Sequence, residues 1–90
     1  MKIDFDPAKR DKTLAERGLD FARAEEIFSG PVLSKEDDRF DYGEKRIITF
    51  GNLDGYMVVI VWTPRGAARR IISMRYANGR EIEKYIASLG

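Results

Sequence analysis

Residues 58–77, VVIVWTPRGAARRIISMRYA, constrain this chain more than any other stretch. Their β-branched and aromatic content reads as two strands joined by a tight turn at Pro64-Arg65-Gly66. The same stretch carries Arg65, Arg69, Arg70 and Arg75. A hairpin that only faces water has no use for four arginines, whereas a sheet that holds a polyanion does. The charge of the rest of the chain agrees. Residues 1–44 carry eight Lys/Arg and twelve Asp/Glu, a net of −4, and residues 45–90 carry eight and three, a net of +5. The overall +1 hides this asymmetry, which points to a charged partner.

Ninety residues suffice for one domain with one modest core, so residues 1–90 are read as a single domain. The chain has neither cysteine nor histidine. Disulfides and thiolate metal sites are thereby excluded, and the usual neutral-pH acid/base is missing. Chemistry must come from Arg, Lys, Glu, Asp, Tyr or Ser, and no cofactor or metal is expected. The acidic loop with Asp37, Asp38 and Asp41 reads as solvated rather than metal-binding. No apolar run approaches the ~18 residues of a membrane span, and no signal-peptide core opens the chain, so a cytoplasmic location is expected.

Along the chain, Met1–Phe5 is a strand candidate. Asp6-Pro7 starts a helix over Pro7–Arg17 that stops at Gly18. Asp20 caps a second helix, Phe21–Ser29, whose Phe21, Ala24, Ile27 and Phe28 share a face. Val32–Lys35 is a weak strand, and residues 36–44 form an exposed loop. Strands follow at Lys45–Phe50, Tyr56–Thr63 and Ala68–Tyr76. Asn78 with Glu81 opens a last helix, with Ile82, Tyr85, Ile86 and Leu89 as its buried stripe. The fold expected is α+β: a small antiparallel sheet, two N-terminal helices on one face and a C-terminal helix.

Alternation sorts the side chains. Met57, Val59 and Val61 form an all-aliphatic set that reads as the core side of their strand. Ile71, Ser73 and Arg75 share one face of the next strand, and Arg70, Ile72, Met74 and Tyr76 the other. Arg69 reads as a solvated strand start. Arg46, Arg65, Arg75 and Glu81 are expected on one rim. The arginines suit phosphate, because a guanidinium is a planar, permanently charged fork. Arg75 and Arg65 lead, with Arg46 and Arg70 behind them. The candidate bases are Glu81 and Glu44, with Lys45 and Tyr76 as alternatives. Trp62, Tyr76 and Phe50 are candidates for stacking on flat rings of a ligand, and Lys45 and Arg70 for holding its anionic backbone.

An ordered set of segments resembles the BrnT-type toxins of bacterial type II toxin–antitoxin systems. It comprises FDPAKR at 5–10, ERGLDF at 16–21, DYGEKR at 41–46, VVIVWTPRG at 58–66 and RRIISMRYA at 69–77, with Glu81 and Tyr85. The resemblance implies a fold like that of RelE-type ribonucleases, cleavage of RNA and arrest of translation. It also implies a partner, a BrnA-like ribbon-helix-helix antitoxin, through which alone operator DNA is bound. Where the family commonly has Trp, this chain has Phe5. Where it often has Asn and then Lys-His, this chain has Thr13, Glu16 and Arg17. The reading from these residues is an endoribonuclease whose RNA supplies its own nucleophile, the 2′-OH. The alternative is a non-catalytic binding module of the same fold.

Overall fold

A computed structural model describes residues 2–89, with the side chain of Leu89 excepted. Met1, part of the expected first strand, and the side chain of Leu89, part of the expected helical stripe, lie outside the described residues. The elements are β1 (Lys2–Phe5), α1 (Pro7–Arg17), a 3₁₀ turn (Phe21–Arg23), α2 (Ala24–Phe28), β2 (Leu33–Glu36), β3 (Ile47–Leu53), β4 (Tyr56–Arg65), β5 (Ala68–Tyr76) and α3 (Gly79–Leu89).

Local chemistry explains most of these bounds. Asp6 accepts the Ala8 N–H at 3.0 Å, Pro7 takes the first helical position, and Gly18 closes α1 at φ +70°. Asp20 caps the next segment through Ala22 N–H, but Phe21–Arg23 is a tighter 3₁₀ turn and α2 proper is only Ala24–Phe28. Asn78 and Glu81 cap α3 reciprocally, at 2.9 and 3.0 Å. Asp54 and Gly55, at φ +53° and +84°, make the two-residue turn between β3 and β4.

The sheet has five strands in the order β1-β5-β4-β3-β2. It is mostly antiparallel, and the exception is β1, which runs parallel to β5 with Ile3 opposite Arg69 and Asp4 opposite Arg70. The expectation of an antiparallel sheet is corrected to that extent. A parallel neighbour needs a long crossover rather than a hairpin, and everything between β1 and β5 supplies it. The turn between β4 and β5 falls one residue later than expected, at Gly66-Ala67, so that Arg65 pairs with Ala68 inside the ladder.

The core side of β4 is the opposite of that expected. Val58, Ile60 and Trp62 pack with Leu19, Phe21, Ala24 and Ile27, whereas Met57, Val59 and Val61 point to the other face. The aliphatic set lost because aromatic Trp62 has a better partner: its ring lies edge-on to Phe28, and its N–H donates to Thr49 Oγ1 at 2.8 Å. Thr49 is fully buried and also bonds Ser34 Oγ at 2.7 Å. On β5 a bulge opposite Val61/Trp62 leaves Ile72 unpaired. Ile71 and Met74 therefore both reach the core, which a regular alternation forbids.

The two N-terminal helices contribute unequally. α2 and the 3₁₀ turn bury Phe21, Ala24 and Ile27, while α1 buries no residue and lies towards β5, where Arg17 donates to the Met74 carbonyl at 2.9 Å. Ile48 and Val59, on the face away from α2, are also buried, as is Tyr85 of α3, whose hydroxyl donates to the Pro31 carbonyl at 3.0 Å. Ile86, expected in the buried stripe, is 60% exposed, because only the Ile82–Tyr85 side of α3 turns inward.

The substitution Thr49→Val removes the acceptor of the buried Trp62 N–H while keeping its shape. Stability in urea is expected to fall by about 1–3 kcal/mol, the cost of a buried donor left unpaired. Gly51→Ala is expected to destabilise by a similar amount, about 1–3 kcal/mol, through overpacking. Its new Cβ would lie 2.5 Å from Ile27 Cγ2. Wild-type midpoints in either variant would contradict this account of the core.

Candidate functional site

The face of the sheet away from α2 gathers the charged side chains. By register, Asp4, Arg70, Ser73 and Arg75 share it with Thr63, Val61 and Val59, and then with Ile48, Phe50, Lys35 and Leu33. The bulge at Ile72 is what puts Arg70 and Arg75, an even and an odd residue, on the same side.

At one end stands Arg75. Its two terminal nitrogens donate to the two oxygens of Glu81, both at 2.7 Å. The fork holds the Glu81 carboxyl down at about 2, with the Asn78 N–H and the charge of Lys35 assisting and partial burial opposing. Arg75 is raised in turn by Glu81, and repulsion from Arg39 opposes that rise. Arg39 thus belongs to this neighbourhood. It comes from the loop after β2, expected to be simply exposed. The loop is instead organised around a buried carboxylate. Asp37 accepts from the Arg39 guanidinium at 2.7 and 2.9 Å and from the Tyr42 hydroxyl at 3.3 Å, and its own N–H donates to the Arg46 carbonyl at 2.8 Å. Arg39 holds the Asp37 carboxyl down at about 2.

At the other end Glu44 lies between two arginines, 3.5 Å from Arg46 and 3.6 Å from Arg65. The Arg46 guanidinium also covers the Tyr42 ring at 3.9 Å. Lys45 is exposed, and its carbonyl accepts from Thr63 Oγ1 at 2.6 Å. Arg70 pairs with Asp4 at 3.0 Å, and the field of Arg65 reaches Asp4 too.

The candidates therefore do not meet on one rim. Arg75 pairs with Val59 and Arg65 is six residues further along β4, so the two sit about 20 Å apart along the strands. Arg75 and Glu81 form one group, with Arg39 and Lys35 added, and Glu44, Arg46 and Arg65 form another. Trp62 is buried on the opposite face beneath Phe28, which removes it as a stacking platform. Tyr76 is 47% exposed but also faces the other way, edge-on to Tyr56 at 5.8 Å. Phe50 stays half-buried on the charged face. Arg39 and Asp37 were missed because their loop carries no apolar pattern. The one signal was Asp37-x-Arg39, a spacing that lets a carboxylate meet a guanidinium across a turn.

Two carboxyls held at about 2 make stability depend on acid. A depressed carboxyl stabilises the fold above its unfolded value, here near 4.5 for Glu81, and that contribution is lost as pH falls towards 2. The melting temperature is expected to drop across this window. Glu81→Gln should flatten the slope between pH 5 and about 2, and an unchanged slope would show that the pair does not stabilise the fold.

The family described as "Ribonuclease toxin, BrnT, of type II toxin-antitoxin system" matches residues 5–81. No curated protein matches the chain. Among the described residues no helix is long and apolar enough to cross a membrane. The family match takes in the charged groups described above from Lys35 to Glu81, while Asp4 lies just before it. This chain belongs to the BrnT family of ribonuclease toxins of type II toxin–antitoxin systems, a class defined by pairing with an antitoxin.

Proposed function

We propose that residues 1–90 form one toxin domain, with a RelE-like fold, that cleaves RNA without a metal and thereby stops translation. The family match over residues 5–81 carries this reading. The charged face supports it: cationic forks lie on a sheet, each already occupied by a carboxylate that a phosphate can replace.

Arg75 is assigned the scissile phosphate. Its fork now grips Glu81 through two parallel bonds, the geometry in which it would grip two phosphate oxygens. When phosphate takes the fork, Glu81 loses the interaction that depresses it most, and its basicity rises. It then accepts the proton of the 2′-OH as that oxygen attacks phosphorus. The bond to the 5′-oxygen breaks, and the leaving oxygen takes a proton from Lys35, whose charge already reaches Glu81. The products are a 2′,3′-cyclic phosphate and a 5′-hydroxyl, and water restores both side chains. Arg39 adds positive charge around the phosphorane. Arg46 and Arg65, released by Glu44, hold the RNA strand further along the sheet with Lys45 and Arg70. The cognate antitoxin is a BrnA-like ribbon-helix-helix protein, and operator DNA is reached through it alone.

Incubating a defined RNA with the protein in EDTA tests this reading. Cyclic-phosphate ends are expected from the wild type. Arg75→Ala is expected to lower the rate by about a hundredfold to a thousandfold, the loss seen when a donor to the transition-state charge is removed. Glu81→Gln should lose rate at neutral pH while still binding RNA, because the base is gone and the fork is free. RNA bound but uncut, with and without translating ribosomes, would sink the enzymatic reading and leave a binding module.

A further inference from the structure

Arg69 has a setting unlike that of any other arginine on the sheet. Arg65, Arg70 and Arg75 each face a carboxylate. Arg69 points to the opposite face, where its guanidinium lies over the Phe28 ring at 4.0 Å and near the Trp62 ring at 5.2 Å. Its Nε–H, like that of Arg46, is buried without an acceptor, but Arg46 has Glu44 beside it, whereas Arg69 has no acidic partner among the described residues. Such orphan donors are rare in native structures and call for a reason. No internal ion pair holds this group; the aromatic stack alone does. The same face is apolar on both sides of it: Ile3 lies beside it on β1 and Pro64 beside it on β4, with Phe28 beneath it and Ile47 further over on β3 beside Trp62.

An arginine fixed flat on an aromatic floor and ringed by apolar side chains has the make-up of an interface hot spot. Its ordering cost is already met, and its edge donors await a planar acceptor. The surroundings do not suit a polyanion. Residues 6–29, which form the helical layer, carry six carboxylates against five cations. Two of those cations, Arg10 and Arg23, are already clamped by Asp20, Asp11, Asp54 and Glu26. RNA is drawn to the other face; a single carboxylate within an apolar segment fits this one.

We infer that Arg69 anchors the antitoxin. A carboxylate of the antitoxin receives the Arg69 guanidinium, and its apolar neighbours seat on Ile3, Phe28, Ile47 and Pro64. The inference rests on the family reading that gives this chain an antitoxin.

The test titrates the co-expressed, separately purified antitoxin into wild-type toxin and into Arg69→Gln and Arg69→Met, with melting curves run on each. Arg69→Met keeps an apolar stem over Phe28 if the Gln variant folds poorly. At least a tenfold loss of antitoxin affinity is expected in both, with RNA cleavage by the free toxin unchanged. Wild-type affinity in a folded variant overturns the inference. So does lost cleavage with affinity intact, which would hand the site to RNA. Failure of the wild type itself to bind the antitoxin would overturn the partner reading beneath it.

Discussion

The single unpaired residue in β5 governs what each face of this sheet can do. Ile72 has no partner on β4, so the strand changes parity halfway along. Before the bulge, odd residues face the helices: Arg69 stacks on Phe28, and Ile71 enters the core. After it, even residues do: Met74 completes the core, and Arg75 is turned to the face where Arg70 already points. Without the bulge, Arg75 would lie on the side of Ile71, and the two arginines of the charged face would be separated by the sheet itself. One extra residue thus builds the core and sorts the cations.

That sorting leaves a face on which the arginines of the sheet and its loop are each engaged by a carboxylate. Arg75 holds Glu81, Arg39 holds Asp37, Arg46 and Arg65 share Glu44, and Arg70 holds Asp4. The pairs keep the free protein from being a strongly basic surface, which its net charge of +1 also reflects. They do not block a polyanion equally. Arg65 is well exposed and the Arg70–Asp4 pair partly so, and such pairs are worth about 0–1 kcal/mol, so a phosphate would displace the carboxylate at little cost. Asp37 is buried with three groups bonded to it, and its role is to shape the loop that brings Arg39 forward. Arg75–Glu81 lies between these extremes. It is bidentate, yet Arg75 remains 44% exposed, and so it is firm enough to orient the fork and open enough to be exchanged.

Much of this was legible in the residues, and the failures have specific causes. Caps are local, so Asp6, Gly18 and the Asn78–Glu81 box acted as their chemistry requires. Strand faces are not local. Met57, Val59 and Val61 look more core-like than a set containing Tyr56 and Trp62, and only the distant Thr49 and Phe28 reverse the choice. The expected shared rim of Arg46, Arg65 and Arg75 failed for a related reason. Antiparallel pairing sends the start of β4 to the end of β5, so residues ten apart in a hairpin finish at opposite ends of the sheet. Arg69 could not be told from a solvated strand start, because its aromatic floor comes from α2, some forty residues earlier.

The edge strand β1 is where the two faces meet. Ile3 stands beside Arg69 on the helical side and Asp4 beside Arg70 on the charged side, in successive residues of one four-residue strand. Among the described residues no other strand lies beyond it. A partner anchored at Arg69 therefore reaches the charged face by passing round a single strand, not by crossing the sheet. An antitoxin that does so needs no deep pocket in this small domain. On the reading proposed above, it would take its grip from Arg69 and deliver its obstruction to the arginines assigned to RNA.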